Sequence, residues 1–222
     1  MDNIKAHALV KQTFEIIMQA RSSEELLNFV EADSLLNKNR LDREEYPELK
    51  LFISPEEITA LKASGVLTET GRFDARLSAT KMSSLEKLLY AMAWKNGDLR
   101  KITHIVDGIH SAGSSTPRKN GAGQVFHQFG RHLADRKEPI IDQHVLRGFM
   151  LWRHSGADDK QVNKIRRMNL LDRQGVDINE YKNWLKTASL TEELRQESDH
   201  VMNIDSVLFA LGKTVKLGKG KD

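Results

Sequence analysis

The sequence predicts an all-α protein, a helical bundle with two lobes. Apolar residues recur at helical spacing along most of the chain. No segment between residues 83 and 120 shows the alternation that is typical of a strand. Three Ser-x-x-Glu patterns indicate helix starts, because a serine and a glutamate at this spacing satisfy free N–H groups in a first turn. The patterns are Ser22 with Glu25, Ser54 with Glu57, and Ser83 with Glu86.

The N-terminal part of the chain predicts short helices separated by connectors. Residues 2–20 carry a broad apolar stripe and form a first amphipathic helix. Further helices begin near Ser22 and Ser54. The charged stretch 33–50 is a connector or a set of short helices, and residues 65–80 are a loop or a small hairpin.

The rest of the chain predicts longer helices. A helix from Ser83 carries a row of apolar residues that we expect to face the core. The row is Leu85, Leu88, Leu89, Met92 and Ala93. Later helices begin at Asp98, after Gly123, at Asp142, near Asp158, near Asn179 and near Asn203. The helix near Asp158 is notably basic, and a lysine- and glycine-rich tail runs from residue 213 to 221.

Length and composition indicate one soluble domain. At 222 residues the chain forms a single domain with lobes of roughly 1–80 and 81–222, and the last helix packs back on the first lobe. No apolar run reaches the length of a membrane helix, which is about 20 residues, and the N-terminal residues lack the apolar region of a signal peptide, so we expect neither. The absence of cysteine excludes a disulfide framework. We expect a cytoplasmic, nucleoid-associated monomer.

Positive charge is concentrated in the middle of the chain. Residues 95–173 hold 15 Lys and Arg against 8 Asp and Glu, a net charge of +7, whereas the whole chain carries +3. Residues 1–94 carry −3 and residues 174–222 carry −1. This distribution is typical either of a solvated basic face or of a surface that binds a polyanion.

The central basic region contains a glycine hairpin. Gly121 and Gly123 flank one alanine, and an apolar row at helical spacing follows them. The backbone N–H groups at Gly123 and Gln124 therefore lie at a predicted helix start, which attracts an anion such as a phosphate. Arg118 and Lys119 come just before the hairpin. The alternative interpretation is a glycine-rich turn between helices with a basic flank.

Asp142 comes nineteen residues after the second glycine, at the start of another predicted helix. An apolar pair, Ile140 and Ile141, precedes it, and His144 follows in an Asp-x-His pattern. Taken alone, such an aspartate is typical of a helix N-cap. We expect the two helix starts, at Gly123 and Asp142, to face one another.

The stretch from Arg118 to Arg147 resembles the helix-hairpin-helix DNA glycosylase superfamily, and the 8-oxoguanine glycosylase-like branch in particular. The resemblance implies that Gly121 and Gly123 hold the backbone of double-stranded DNA and that Asp142 is the catalytic residue. Residues with an implied DNA contact are Arg118, Lys119, Gly121, Gly123, Gln124, His144 and Arg147. An aromatic residue of a late helix contributes to the base pocket in that branch, which makes Phe209 a candidate, with Trp94 as a second. Core packing is the alternative for Phe209 and for all three tryptophans.

Several residues depart from the pattern of that superfamily. Lys119 and Asn120 replace its apolar residue and proline before the hairpin, and Val125 replaces the lysine of its bifunctional members. A valine has no amine with which to form a Schiff base, so a lyase step by this residue is excluded. Without cysteine, the iron–sulfur cluster of some relatives cannot form. We expect no cofactor and no metal.

These observations predict a monofunctional DNA glycosylase that excises a damaged or modified base, in repair or in defence against phage DNA. Two alternatives remain open at this point. One is a DNA-binding module of the same fold without chemistry, in which Asp142 is only a helix cap. The other is an all-α interaction protein whose resemblance to glycosylases is accidental. The sequence does not specify which base is excised.

Overall fold

A computed structural model describes residues 1–47, 49–74, 82–113, 123–168 and 175–218 of the protein. These residues form helices and no strand, apart from an isolated antiparallel bridge between Leu67 and Phe73. The predicted all-α class is therefore confirmed. The helices are α1 (Asn3–Gln19), α2 (Ser23–Ala32), α3 (Ser34–Asn37), α4 (Pro55–Ala63), α5 (Ser84–Lys95), α6 (Leu99–His110), α7 (Gln124–Ala134), α8 (Gln143–Arg153), α9 (Asp159–Arg166), α10 (Gly175–Thr187), α11 (Glu192–Gln196) and α12 (His200–Thr214).

All three Ser-x-x-Glu patterns mark helix starts, as predicted. Ser54 and Ser83 form complete capping boxes, in which the glutamate side chain also accepts from the N–H of the capping serine. The cap at Ser22 is only half of a box. Its hydroxyl accepts from the Glu25 N–H, but the Glu25 carboxylate accepts instead from the N–H of Arg21 at 2.8 Å.

The chain divides into two compact units. The first contains Met1–Lys50 and Arg136–Asp222, and the second contains Leu51–Thr116 and Gly123–Asp135. This division differs from the lobe boundary that was predicted near residue 80. In the first unit, α12 packs against α8 and also against α1, α2 and α3.

The core of the first unit is built on α12, whose apolar row is almost wholly buried. Gly212 allows this helix to approach the start of α8, because a Cβ atom at Gly212 would lie 1.9 Å from the carbonyl oxygen of His144. An aromatic cluster lies beside this core. Trp152 stacks on Phe14 with ring centroids 4.7 Å apart, and Trp184 is 8% exposed. The core assignment of Trp184 is confirmed, whereas Trp152 is half-buried at the edge of the cluster.

The second unit is centred on α6 and α7, which approach closely at two glycines. A Cβ atom at Gly108 would lie 2.0 Å from the His127 carbonyl oxygen, and one at Gly130 would lie 2.0 Å from the Ile105 carbonyl oxygen. Backbone therefore lies directly against backbone where these helices cross.

The helix α5 does not bury the apolar row that was predicted to face the core. Its leucines and Met92 are 55–64% exposed, and Trp94 is 66% exposed. The side chain of Tyr90 packs against Phe73, with ring centroids 5.4 Å apart. The prediction of a core-facing row, and of a core position for Trp94, was wrong because periodicity predicts an amphipathic helix but not the surface that covers it.

Among the residues described, no helix is both long and apolar enough to cross a bilayer.

Candidate functional site

Asp142 is the N-cap of α8. Its Oδ1 atom accepts hydrogen bonds from the backbone N–H groups of His144 at 2.7 Å and Val145 at 2.8 Å. The carboxylate is half-buried, and its Oδ2 atom accepts no hydrogen bond from the described part of the chain. Asp142 therefore holds one oxygen in a fixed position, and its other oxygen keeps its capacity to accept a hydrogen bond.

The segment that leads into Asp142 is fixed by a buried aspartate of α12. The Oδ2 atom of Asp205 accepts from the Ile140 N–H at 2.7 Å, and its Oδ1 atom accepts from the Tyr181 hydroxyl at 2.6 Å. Burial raises the pKa of the Asp205 carboxyl well above its usual range, although these two hydrogen bonds oppose the shift. Asp205 thus sets the position of the backbone two residues before Asp142.

Sequence reasoning missed both Asp205 and Tyr181. The available signal was an aspartate within an apolar row, between Ile204 and Val207 of the last helix. A carboxylate at such a position requires buried partners, since an unpaired buried charge is strongly unfavourable.

Arg147 is completely buried and connects three parts of the first unit. Its Nη1 atom lies 2.7 Å from the His144 Nδ1 atom and donates to the Gly212 carbonyl oxygen at 2.9 Å. Its Nη2 atom donates to the carbonyl oxygen of Met168. The relative exposure of Arg147 is 0%, so the prediction that it contacts DNA was wrong. Its guanidinium is occupied in positioning His144.

The contact with Arg147 defines the protonation of His144. A guanidinium has only donors, so the Nδ1 atom of His144 must accept, and a neutral ring then carries its proton on Nε2. Burial lowers the pKa of His144 below 6.5, with Arg147 and Lys216 lowering it further and the Asp142 carboxylate opposing them. Burial also lowers the pKa of Arg147 to about 10, so the guanidinium remains charged at neutral pH. His144 is therefore a neutral N–H donor beside Asp142.

Phe209 extends the site along α12. Its ring lies 5.1 Å from the ring of His144 at an interplanar angle of 66°, and the Nζ atom of Lys213 lies 5.6 Å from the Phe209 centroid. Phe209 is half-buried, so it is not a plain core residue. Its assignment to a base pocket remains a prediction. Trp94, the second candidate, belongs to the other unit.

Of the two hairpin glycines, only Gly123 lies among the described residues. Arg118, Lys119 and Gly121 lie outside the described residues. Gly123 is the N-cap of α7 and has φ 75°, a left-handed conformation that favours glycine, so the predicted helix start is confirmed. A Cβ atom at Gly123 would lie 2.0 Å from the His104 ring. Gln124 is 4% exposed, so almost none of its surface is available for the DNA contact that was predicted for it.

Gly123 belongs to the second unit and Asp142 to the first. The expectation that the two helix starts face one another therefore stays a prediction.

The helix α7 buries a row of polar side chains that the sequence analysis did not identify. The His127 Nε2 atom lies 3.0 Å from the Ser111 hydroxyl, and Arg131 donates to the Ser111 carbonyl oxygen at 2.5 Å. These contacts hold the C-terminal end of α6 against α7. The buried polar residues are Gln124, His127, Gln128, Arg131 and His132. Over the described ranges, no group of His, Asp and Glu side chains has a metal-binding arrangement.

The contacts of His144 predict its titration. We expect NMR to show a titration midpoint below 6.5, because burial disfavours the imidazolium. Asp142→Asn should lower this midpoint further, since it removes the carboxylate that favours the charged ring. Asp158→Asn, which changes another N-cap of the same unit, should leave it unchanged. A midpoint above 6.5, or one that does not respond to Asp142→Asn, would contradict this geometry.

No protein-family model, curated protein or solved structure matches this chain. The resemblance to DNA glycosylases therefore rests on the stretch from Arg118 to Arg147 alone.

Proposed function

We propose that the protein is a monofunctional DNA glycosylase of the helix-hairpin-helix type. It binds double-stranded DNA, flips a damaged or modified base out of the stack, and hydrolyses the N-glycosidic bond. The observation that carries the proposal is the half-buried carboxylate of Asp142, in which two backbone N–H groups hold one oxygen while the other accepts no hydrogen bond from the described residues.

In the proposed reaction, the bond between the sugar C1′ atom and the base breaks, and its electron pair leaves with the base. Positive charge develops on the sugar, and this second oxygen of Asp142 stabilises it, as carboxylates do in glycoside hydrolysis. A water molecule then adds to C1′ and loses a proton, and the departing base takes up one proton on the nitrogen that held the sugar. The products are the free base and an abasic site in an intact strand.

His144 has a separate part in this mechanism. Because its Nδ1 atom faces Arg147 at 2.7 Å, we assign the contact with DNA to its Nε2–H group. A neutral donor of this kind suits a phosphate oxygen beside the target nucleotide. Such a contact positions the strand without reading its sequence.

One specific observation also favours a second function, a DNA-binding module without chemistry. Asp142 accepts from the N–H groups of the second and third helical residues, which is how an ordinary N-cap acts. In that case the second oxygen has no role, and the protein binds DNA equally well with or without a base lesion.

An excision assay distinguishes the two functions. The purified protein is incubated with DNAs that carry oxidised or alkylated bases and with phage DNA that carries bulky modified bases, and abasic sites are counted with an aldehyde-reactive probe. We expect abasic sites on one class of DNA, with strands that break only after alkali because Val125 cannot form a Schiff base. Salt-sensitive binding to every DNA without abasic sites would favour the binding module.

A further inference from the structure

Four exposed cations of the unit that contains Asp142 have no role in the mechanism above. Lys164 lies in the last turn of α9 and Arg167 directly follows that helix. Lys213 lies in the last turn of α12, and Lys216 follows two residues after its end. All four side chains are exposed. They belong to the first unit, as does Asp142.

The ends of α9 and α12 are joined by direct hydrogen bonds. The Nε atom of Arg166 donates to the Val215 carbonyl oxygen at 2.8 Å, and the Leu217 N–H donates to the Arg166 carbonyl oxygen at 3.1 Å. The two pairs of cations therefore stand on adjoining helix ends, although more than forty residues separate them in sequence.

Arg147 connects the same two helix ends to the candidate site. Its guanidinium donates to the Gly212 carbonyl oxygen of α12 and to the Met168 carbonyl oxygen beyond α9, and it also contacts His144. Lys216 lies close enough to His144 to lower the pKa of its imidazole. Lys216 and Lys213 thus lie beside the candidate site, Lys213 through Phe209, and Lys164 and Arg167 stand on the adjoining end of α9.

The four cations differ in their surroundings, since Lys213 also lines a cavity that contains the carboxylates of Glu31, Asp42, Glu44 and Glu45. None of the four cations forms an ion pair with any residue that the structure describes. By contrast, the exposed Lys11 and Arg40 pair with Glu15 and Glu31. Two helix C-termini supply together about one negative elementary charge, which is less than the charge of four cations. The four unpaired cations therefore outweigh the partial negative charges of the two helix ends that carry them.

We propose that Lys164, Arg167, Lys213 and Lys216 form a phosphate-binding surface for double-stranded DNA beside the Asp142 site. The inference rests on the proposed function. It adds a second set of contacts with the DNA backbone to the contacts predicted at the glycine hairpin. Flexible, exposed cations suit this role because phosphate contacts fix the position of a duplex without reading its sequence.

The test measures DNA affinity as a function of salt. Two double variants, Lys213→Gln with Lys216→Gln and Lys164→Gln with Arg167→Gln, are titrated by fluorescence anisotropy with a labelled, undamaged duplex between about 50 and 200 mM salt. Each lost phosphate contact removes about 0.9 from the slope of log affinity against log salt, so each double variant should lose about 1.8. We expect at least about a 10-fold loss of affinity at the lower salt concentration.

A control variant distinguishes the loss of these particular cations from the loss of positive charge anywhere on the unit. Lys11→Gln with Lys186→Gln removes the same charge from exposed positions on α1 and α10 of the same unit. We expect this variant to keep the salt slope of the unchanged protein. Equal losses in the control and in the two test variants would overturn the proposal, and so would unchanged slopes in the test variants.

Excision is measured separately with saturating protein in a single turnover, so that failure of the surface and failure of the function are distinguishable. Unchanged slopes with normal excision would overturn only the surface. A lower slope without excision of any base would support the surface and count against the glycosylase. Absence of DNA binding by the unchanged protein would overturn both.

Discussion

Asp142→Asn is expected to lower the single-turnover rate of base excision by about 100-fold or more, because a neutral amide cannot stabilise the positive charge that develops on the sugar. The fold should hardly change. Asparagine caps helices about as well as aspartate does, so its side-chain oxygen can still accept from the N–H groups of His144 and Val145. We therefore expect the free energy of unfolding to change by less than about 0.5 kcal/mol, and DNA affinity to be largely retained.

The control for this prediction is Asp158→Asn. Asp158 caps α9 in the same unit and accepts from the Gln161 N–H at 2.8 Å, so the substitution makes the same chemical change at another N-cap. Excision by this variant should equal that of the unchanged protein. If Asp142→Asn excises bases at the normal rate, Asp142 is a helix cap and not a catalytic residue.

Gly212→Ala is expected to destabilise the protein by about 3 kcal/mol or more. The added Cβ atom would lie 1.9 Å from the carbonyl oxygen and 2.6 Å from the carbonyl carbon of His144. Both atoms are backbone, so no side-chain rotation can relieve the overlap, and α12 has to move away from the start of α8. Urea unfolding measures the effect. Protein that still folds should also excise bases more slowly, because His144 is displaced.

Gly156→Ala provides the comparison for Gly212→Ala. A Cβ atom at Gly156 would have no neighbour within 4 Å, and the same methyl group there should change the free energy of unfolding by less than about 0.5 kcal/mol. Similar losses in both variants would mean that the close approach of α12 to α8 does not limit stability.

The parts of the fold that the sequence predicts well are those decided within a few residues. A capping serine and its glutamate are three positions apart, so the starts of α4 and α5 follow from local chemistry. The apolar rows of α8 and α12 repeat every three or four residues, so these two helices also follow from nearby residues. What a row packs against depends on distant parts of the chain, and for this reason α5 was predicted to be buried although its leucines are exposed.

In the candidate site, too, the features set by neighbouring residues were predicted and those set by distant residues were missed. Asp142 and His144 are two residues apart at a helix start, and their pattern alone identified them. Arg147 has the sequence context of a surface cation, and its burial depends on carbonyl groups 21 and 65 residues away. Asp205 is 65 residues from the Ile140 N–H group that it fixes. Contacts over such separations leave no local pattern in one sequence.

The three-way contact of Arg147 limits which residues this position can accept. A lysine at this position has one ammonium group and cannot reproduce the planar fork that reaches His144, Gly212 and Met168 together. The orientation of His144 therefore depends on Arg147 and Gly212 together. The Phe209 ring makes looser contacts, with the ring of His144 and the ammonium group of Lys213. On the proposed function, we therefore expect substitutions at Phe209 to change which base is accepted and to leave the Asp142 carboxylate in place.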